Sequence, residues 1–90
     1  QTINTHPALL PAFPGAHAVA DAMAAGVAVT GATVHFVDEG VDTGQIIKQA
    51  SVEIHKSDTQ VELHERIKIE ERKILVQTIR ELVERDEESV

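Results

Sequence analysis

The spacing of apolar side chains changes along the chain, and each change marks a predicted element. Thr2-Ile3-Asn4-Thr5 reads as the end of a strand. Pro7, Pro11 and Pro14 follow. Each fixes φ and lacks an N–H, so the segment that closes at Gly15 reads as an extended, turning loop. Ala16 to Gly26 (AHAVADAMAAG) is rich in the strongest helix former and ends in a glycine, which predicts a short helix that His17 helps to start. From Val29 to Gly40, Val34 and Phe36 alternate with Thr33, His35 and Val37, which predicts a strand running into an acidic, glycine-bounded loop. Gly44 to Ile54 predicts a further strand, kinked near Ser51. Ser57 or Asp58 then supplies an N-cap. From about Thr59 to Arg85, Leu63, Ile67, Ile74, Leu75, Ile79, Leu82 and Val83 recur at three- and four-residue spacing, the signature of one long amphipathic helix. The acidic tail after it is expected to fray.

The order is β-loop-α-β-β-α, an α/β arrangement. Ninety residues suffice for one small domain. So few strands make a thin α/β sheet, which normally is covered on both faces, and the first strand looks fit for a sheet interior. The expectation is therefore that residues 1–90 form the C-terminal portion of a single domain, whose absent N-terminal half supplies the strands beside Ile3.

Composition narrows the function classes. Hydrophobic residues make up 42% and aromatic residues 2%, so the core must be aliphatic. The net charge of −7, with only 8 Lys and Arg, argues against nucleic acid as a partner, since phosphates are held by basic clusters and bases by aromatic platforms. No cysteine is present, hence no disulfide and no thiolate metal site. No apolar run approaches the roughly 18–20 residues that span a bilayer. These features fit a soluble protein of the cytoplasm. Unpaired strand edges invite association, so a homo-oligomer or a complementary chain is expected.

Candidate chemistry gathers at loop boundaries. Asn4 and His6 stand two apart where a strand ends, so both face one side. Asp42 sits in the glycine-bounded loop after another strand, and ligands of α/β sheets gather at the carboxyl ends of strands. An amide NH2 and an imidazolium N–H are both donors, suited to a carbonyl oxygen that becomes negative in a tetrahedral intermediate. A nearby carboxylate favours the charged imidazole, making it a general acid or a fixed positive charge. No serine or cysteine is placed as a nucleophile, and direct acyl transfer to an amine needs none. The same residues also serve as ordinary turn and loop residues. A metal site built from His6, His17, His35, Asp38 and Asp42 lacks any HExxH-like spacing, so none is expected. His35 reads as a satisfied strand histidine. Glu71 shares a helix face with Leu63, Ile67, Ile74 and Leu75, where a carboxylate is expensive unless paired. It either accepts a hydrogen bond from a ligand hydroxyl or amine, or lies past the sheet edge, wet or paired with an arginine of the absent segment.

Taken together, INTHPALLPAFPG, TGATVHFVDEGVDTG and IIKQASVEI resemble the C-terminal half of the glycinamide ribonucleotide formyltransferase family. The pattern is Asn-x-His-Pro-x-Leu-Leu-Pro, then a histidine-containing strand and an Asp-x-Gly motif. HPALLPAFPG is more similar to this family than to the related methionyl-tRNA formyltransferases or formyltetrahydrofolate hydrolases. The resemblance implies a Rossmann-like fold and transfer of a formyl group from 10-formyltetrahydrofolate, a co-substrate, to the amine of glycinamide ribonucleotide in de novo purine biosynthesis, a part of one-carbon metabolism, with no metal. It implies that Asn4 holds the formyl oxygen, that His6 stabilises the oxyanion and shuttles a proton toward N10, and that Asp42 raises the pKa of His6 and orders a water. Asp38, Glu39, Gly40, Val41 and Asp42, with Asn4, would hold the folate. His6, Pro7, Lys68 and Glu71 would meet the amine substrate. Gln45 departs from a usual proline and Arg72 from a common histidine. The family's glycine-rich phosphate loop is absent from this acidic chain, so the piece alone is expected to be inactive. A hydrolase of the same fold, or a non-catalytic assembly module, are the alternatives.

Overall fold

The computed structural model describes residues 2–37 and 45–88. The elements are β1 (Ile3–His6), α1 (Ala18–Ala24), β2 (Val29–Phe36), β3 (Ile46–Glu53) and α2 (Gln60–Glu88). Their order is the one the periodicity predicts. The strands form an antiparallel sheet in the order β1-β2-β3. Among the described residues β1 stands at one edge of this sheet.

The central strand β2 is buried on both faces, which is why Thr33 and His35 are as inaccessible as Ala32 and Val34. On one face, Ala32 and Val34 join Val19 of α1, Val52 of β3 and Leu63, Ile67 and Ile74 of α2 in a single core. That cluster is wholly aliphatic among the described residues, as composition requires. Leu63 and Ile67 are fully buried, and removing such side chains from water stabilises by about 1.5–3 kcal/mol each. On the other face lies the proline-bounded loop after β1, with Ala8 and Leu10 buried and the Leu10–Pro11 peptide cis. Gly31 permits this approach. A Cβ there would meet the Ala50 carbonyl oxygen at 2.1 Å and Leu9 Cδ2 at 2.7 Å.

The predicted irregularity of β3 is displaced. Ser51 pairs regularly with Gly31, while the register slips between Val34 and His35, opposite Ile47. Such a bulge re-aims the end of a hairpin rather than its middle.

Both helices differ in detail from their predicted ends. α1 starts later than the alanine run, because His17 occupies the N-cap position without a side-chain cap hydrogen bond. Gly26 closes the run with φ +69°, a left-handed conformation that glycine adopts freely. The cap of α2 is Thr59, not Ser57 or Asp58. Its hydroxyl accepts from the Glu62 N–H at 3.1 Å and donates to the Glu62 carboxylate at 3.0 Å, a side-chain and backbone pairing across one turn. Asp58 is occupied otherwise: Arg66 grips it through both guanidinium nitrogens at 2.7 and 2.6 Å, and the His55 N–H donates to it at 2.7 Å. Arg66 also donates to the Glu53 carbonyl at 2.7 Å, tying the end of β3 to the start of α2.

Toward its far end α2 departs from the predicted stripe. Ile79 and Val83 are about half exposed, and Thr78 takes the buried position. Thr78 does so at little cost because its hydroxyl donates to the Ile74 carbonyl at 2.7 Å. No described helix is long and apolar enough to cross a membrane.

Candidate active site

Alternation along β1 sends Asn4 and His6 to the loop-covered face of the sheet and Ile3 and Thr5 to the helix face. Asn4 is exposed, and its amide oxygen accepts from the Thr5 N–H at 2.9 Å. That bond uses the acceptor half of the amide. The donor half, the NH2, is what a carbonyl oxygen would meet.

His6 is only 5% exposed. Its Nε2 lies 2.8 Å from the carbonyl oxygen of Phe13. A carbonyl can only accept, so Nε2 carries a proton whether the ring is neutral or charged, and Nδ1 is the nitrogen left for chemistry. Phe13 reaches this place through a left-handed backbone, φ +50°, a conformation uncommon outside glycine, asparagine and aspartate. The loop carrying it is fastened to β2 and β3. The Thr33 hydroxyl donates to the Ala8 carbonyl at 2.6 Å, and accepts from the Leu10 N–H at 3.1 Å and from Gln49 Nε2 at 3.0 Å. Gln49 Nε2 donates also to the Leu10 carbonyl at 2.9 Å.

Glu71 reaches β1 from the other face. It is half-buried and accepts the Thr5 hydroxyl at 3.1 Å through Oε2. The carboxylate thus has one partner on the neighbouring strand, the Thr5 hydroxyl. Glu71 and the Asn4–His6 pair therefore border opposite sides of the same edge strand. Lys68 donates to Glu65 on its own helix at 3.3 Å. Pro7 borders a small cavity of about 80 Å³ with His17, Val19, Gln60 and His64. His35 is fully buried, with Nδ1 donating to the Phe36 carbonyl at 3.1 Å.

Asp38, Glu39, Gly40, Val41 and Asp42 lie outside the described residues. The residues that flank them are informative nonetheless. Phe36 N–H donates to the Gln45 carbonyl at 3.0 Å and Val37 N–H to the Thr2 carbonyl at 2.9 Å. Because β1 and β2 are antiparallel, β2 ends beside Ile3, whereas His6 pairs with Thr33 in the middle of β2. Asn4, opposite His35, is thus nearer than His6 to the end of β2, and the expected meeting of Asn4 and His6 with Asp42 lies outside the described residues. Among the described residues no group of three or more metal-ligating side chains is placed to hold an ion.

Phe13, Thr33 and Gln49 escape sequence reasoning. Thr33 looks like the polar, outward phase of an alternating strand. The signal that could have found it is the apolar run Ala8-Leu9-Leu10, which needs a surface to cover.

The sequence pattern described as formyl transferase matches residues 1–79. Phosphoribosylglycinamide formyltransferase of Mycobacterium tuberculosis H37Rv is 61% identical over 79 residues, covering 88% of this chain and 37% of that protein. The crystal structure of phosphoribosylglycinamide formyltransferase from Streptococcus pneumoniae TIGR4 superposes with a TM-score of 0.84 at 46% identity, over 90% of this chain and 45% of that one. A formyltetrahydrofolate deformylase structure from Pseudomonas syringae superposes with a TM-score of 0.81 at 35% identity, over 87% of this chain and 26% of that one. The chain spans less than half the length of each of these relatives. With the family pattern running through β1, its loop, the sheet and most of α2, the chain belongs to the formyl transferase family.

Proposed function

We propose that this chain is the C-terminal portion of an enzyme that transfers a formyl group from 10-formyltetrahydrofolate to the amine of glycinamide ribonucleotide in purine biosynthesis. The observation that carries it is the pairing on β1 of an amide with an imidazole whose Nε2 is bound to the Phe13 carbonyl, leaving Nδ1 for substrate. Relatives that cover this segment bear the name of that activity.

In the reaction the amine nitrogen attacks the formyl carbon, and the carbonyl oxygen becomes an oxyanion. The Asn4 NH2 and the His6 Nδ1–H are donors suited to that oxygen. Collapse of the intermediate breaks the carbon–N10 bond. N10 leaves as an amine, taking a proton, while the attacking nitrogen gives one up. His6 and Asp42 serve that proton transfer, His6 at Nδ1. Asp38, Glu39, Gly40, Val41 and Asp42 contribute the folate loop. Pro7, Lys68 and Glu71 border the amine substrate, with Glu71 accepting from a hydroxyl of its nucleotide part through the oxygen that Thr5 does not occupy. The N-terminal half supplies the phosphate-binding loop, so residues 1–90 alone are inactive. The whole acts on dissolved substrates in the cytoplasm.

A hydrolytic variant, in which water replaces the amine, is favoured by the likeness to the deformylase structure. An assay of the intact enzyme separates the two. Formyl-folate consumption that requires glycinamide ribonucleotide, without formate release, is expected. Formate release that is indifferent to the amine would overturn the transferase assignment.

A further inference from the structure

The bonds around His6 close a circuit. His6 and Thr33 are cross-strand partners in the ladder. From His6 the chain runs out through Pro7, and the Thr33 hydroxyl catches it again at the Ala8 carbonyl and the Leu10 N–H. A turn follows, with the Ala12 N–H donating to the Leu9 carbonyl at 3.0 Å. Phe13, left-handed, then returns its carbonyl to His6 Nε2. Each link fixes the next, and the hydroxyl at the start is saturated: one hydrogen donated and both lone pairs filled, the second by Gln49. Thr33 is fully buried, so water cannot replace a lost bond without entering the sheet–loop interface.

We propose that Thr33 is a positioning residue for His6. Its hydroxyl, braced by Gln49, sets the loop that holds the imidazole in its Nε2–H form and reserves Nδ1 for the substrate. The Phe13 backbone carbonyl is the group that reads out that setting. The side chain of Phe13 is not needed for it; the left-handed backbone is. This inference rests on the assignment of His6 as the catalytic imidazole, but its structural half, the proton on Nε2, stands or falls separately.

The test uses ¹⁵N-labelled intact enzyme, with the His6 ring observed by long-range nitrogen–proton correlation. In the wild type the neutral ring is expected as the Nε2–H tautomer. Thr33→Val keeps the shape and removes the hydroxyl. It is expected to mix the tautomers and lower kcat about ten- to hundredfold, as loss of alignment does, while KM for both substrates stays within about twofold. Thr33→Ser, which restores the hydroxyl, is expected to return both signals toward wild type. Gln49→Leu, at an exposed position, gives a smaller shift in the same direction and is informative should Thr33→Val not fold. A wild-type ring found as the Nδ1–H tautomer overturns the proposal without any variant. So does a folded Thr33→Val enzyme with unchanged ring shifts. Failure of the catalytic assignment looks different: His6→Gln would then retain full activity while the Nε2–H signature of the wild type persisted.

Discussion

The hydroxyl of Thr5 donates to Oε2 of Glu71 across 3.1 Å, joining the edge strand to the middle of the long helix. One carboxylate oxygen is thereby engaged, and the charge is held at the border of the sheet. Replacing Thr5 with Val removes the donor without changing the shape. A loss of about 1 kcal/mol is expected, the ordinary worth of a partly exposed hydrogen bond, read as a lower urea midpoint. Glu71→Ala acts differently. It is expected to raise KM for the amine substrate about tenfold, equal to roughly 1.4 kcal/mol, with KM for the folate unchanged. A rise confined to the folate KM would remove Glu71 from the amine subsite.

In the proposed reaction, Asn4 and His6 on the opposite face carry the chemical step. His6→Ala is expected to lower turnover by about 10²–10⁴, the range for a positioned acid–base group, and Asn4→Ala by about 10²–10³, the range for an oxyanion donor. Asp42→Asn belongs with the first. Single-turnover measurements distinguish chemistry from binding, and near-normal rates in the His6 variant across the whole pH range would refute its role.

The element order was open to the sequence because each segment carries its own period: proline punctuation, an alanine run, alternation, then a helical stripe. What was hidden is what depends on neighbours far along the chain. Thr33 and Val34 differ in polarity yet are equally buried, since a loop covers one face of β2 and helices the other. Period two cannot announce a second cover. Strand direction was hidden too, and with it the separation of His6 from the end of β2. Thr78 and Ile79 show the same limit within a helix: polarity favours Ile79 for the core, but Thr78 satisfies its own hydroxyl and takes the place. Of the candidate site, the Asn4–His6 pairing was legible from spacing alone. The Phe13 carbonyl was not, because a backbone group has no letter.

The exchange of faces at the end of α2 has a measurable consequence. Ile67 is fully buried and Ile79 is 48% exposed. Ile67→Ala is expected to destabilise by about 2–5 kcal/mol, whereas Ile79→Ala should stay within about 0.5 kcal/mol. Equal losses in urea unfolding would mean that Ile79 is covered in the intact protein.

Gly31→Ala tests the close approach of the loop. The added Cβ meets backbone at Ala50, which cannot swing aside, as well as the Leu9 side chain, which can. A loss of about 3 kcal/mol or more is expected, at the upper end for overpacking. Adding Leu9→Ala should recover little, since the carbonyl contact remains. Full recovery in the double variant would place the strain in the loop alone.

Acid stability turns on the clamp between β3 and α2. The two hydrogen bonds from Arg66, joined by the His55 N–H, hold the Asp58 carboxyl well below the usual carboxylate range. In the unfolded chain the same group titrates near 3.9. Below about pH 5 the unfolded state therefore begins to bind a proton that the folded state refuses, and stability falls as pH falls. The contribution is complete above that range and drains away toward the depressed folded value. The raised pKa of Arg66, caused first by its bond to Asp58, adds no window of its own, because arginine stays charged throughout. Asp58→Asn should accordingly lower the urea midpoint by a constant amount between about pH 6 and pH 8, and by a shrinking amount below about pH 4. Added salt should trim the difference, since the guanidinium is one-third exposed. A wild-type-to-variant gap that is the same at pH 3 as at pH 7 would show that the clamp acts by shape and not by charge.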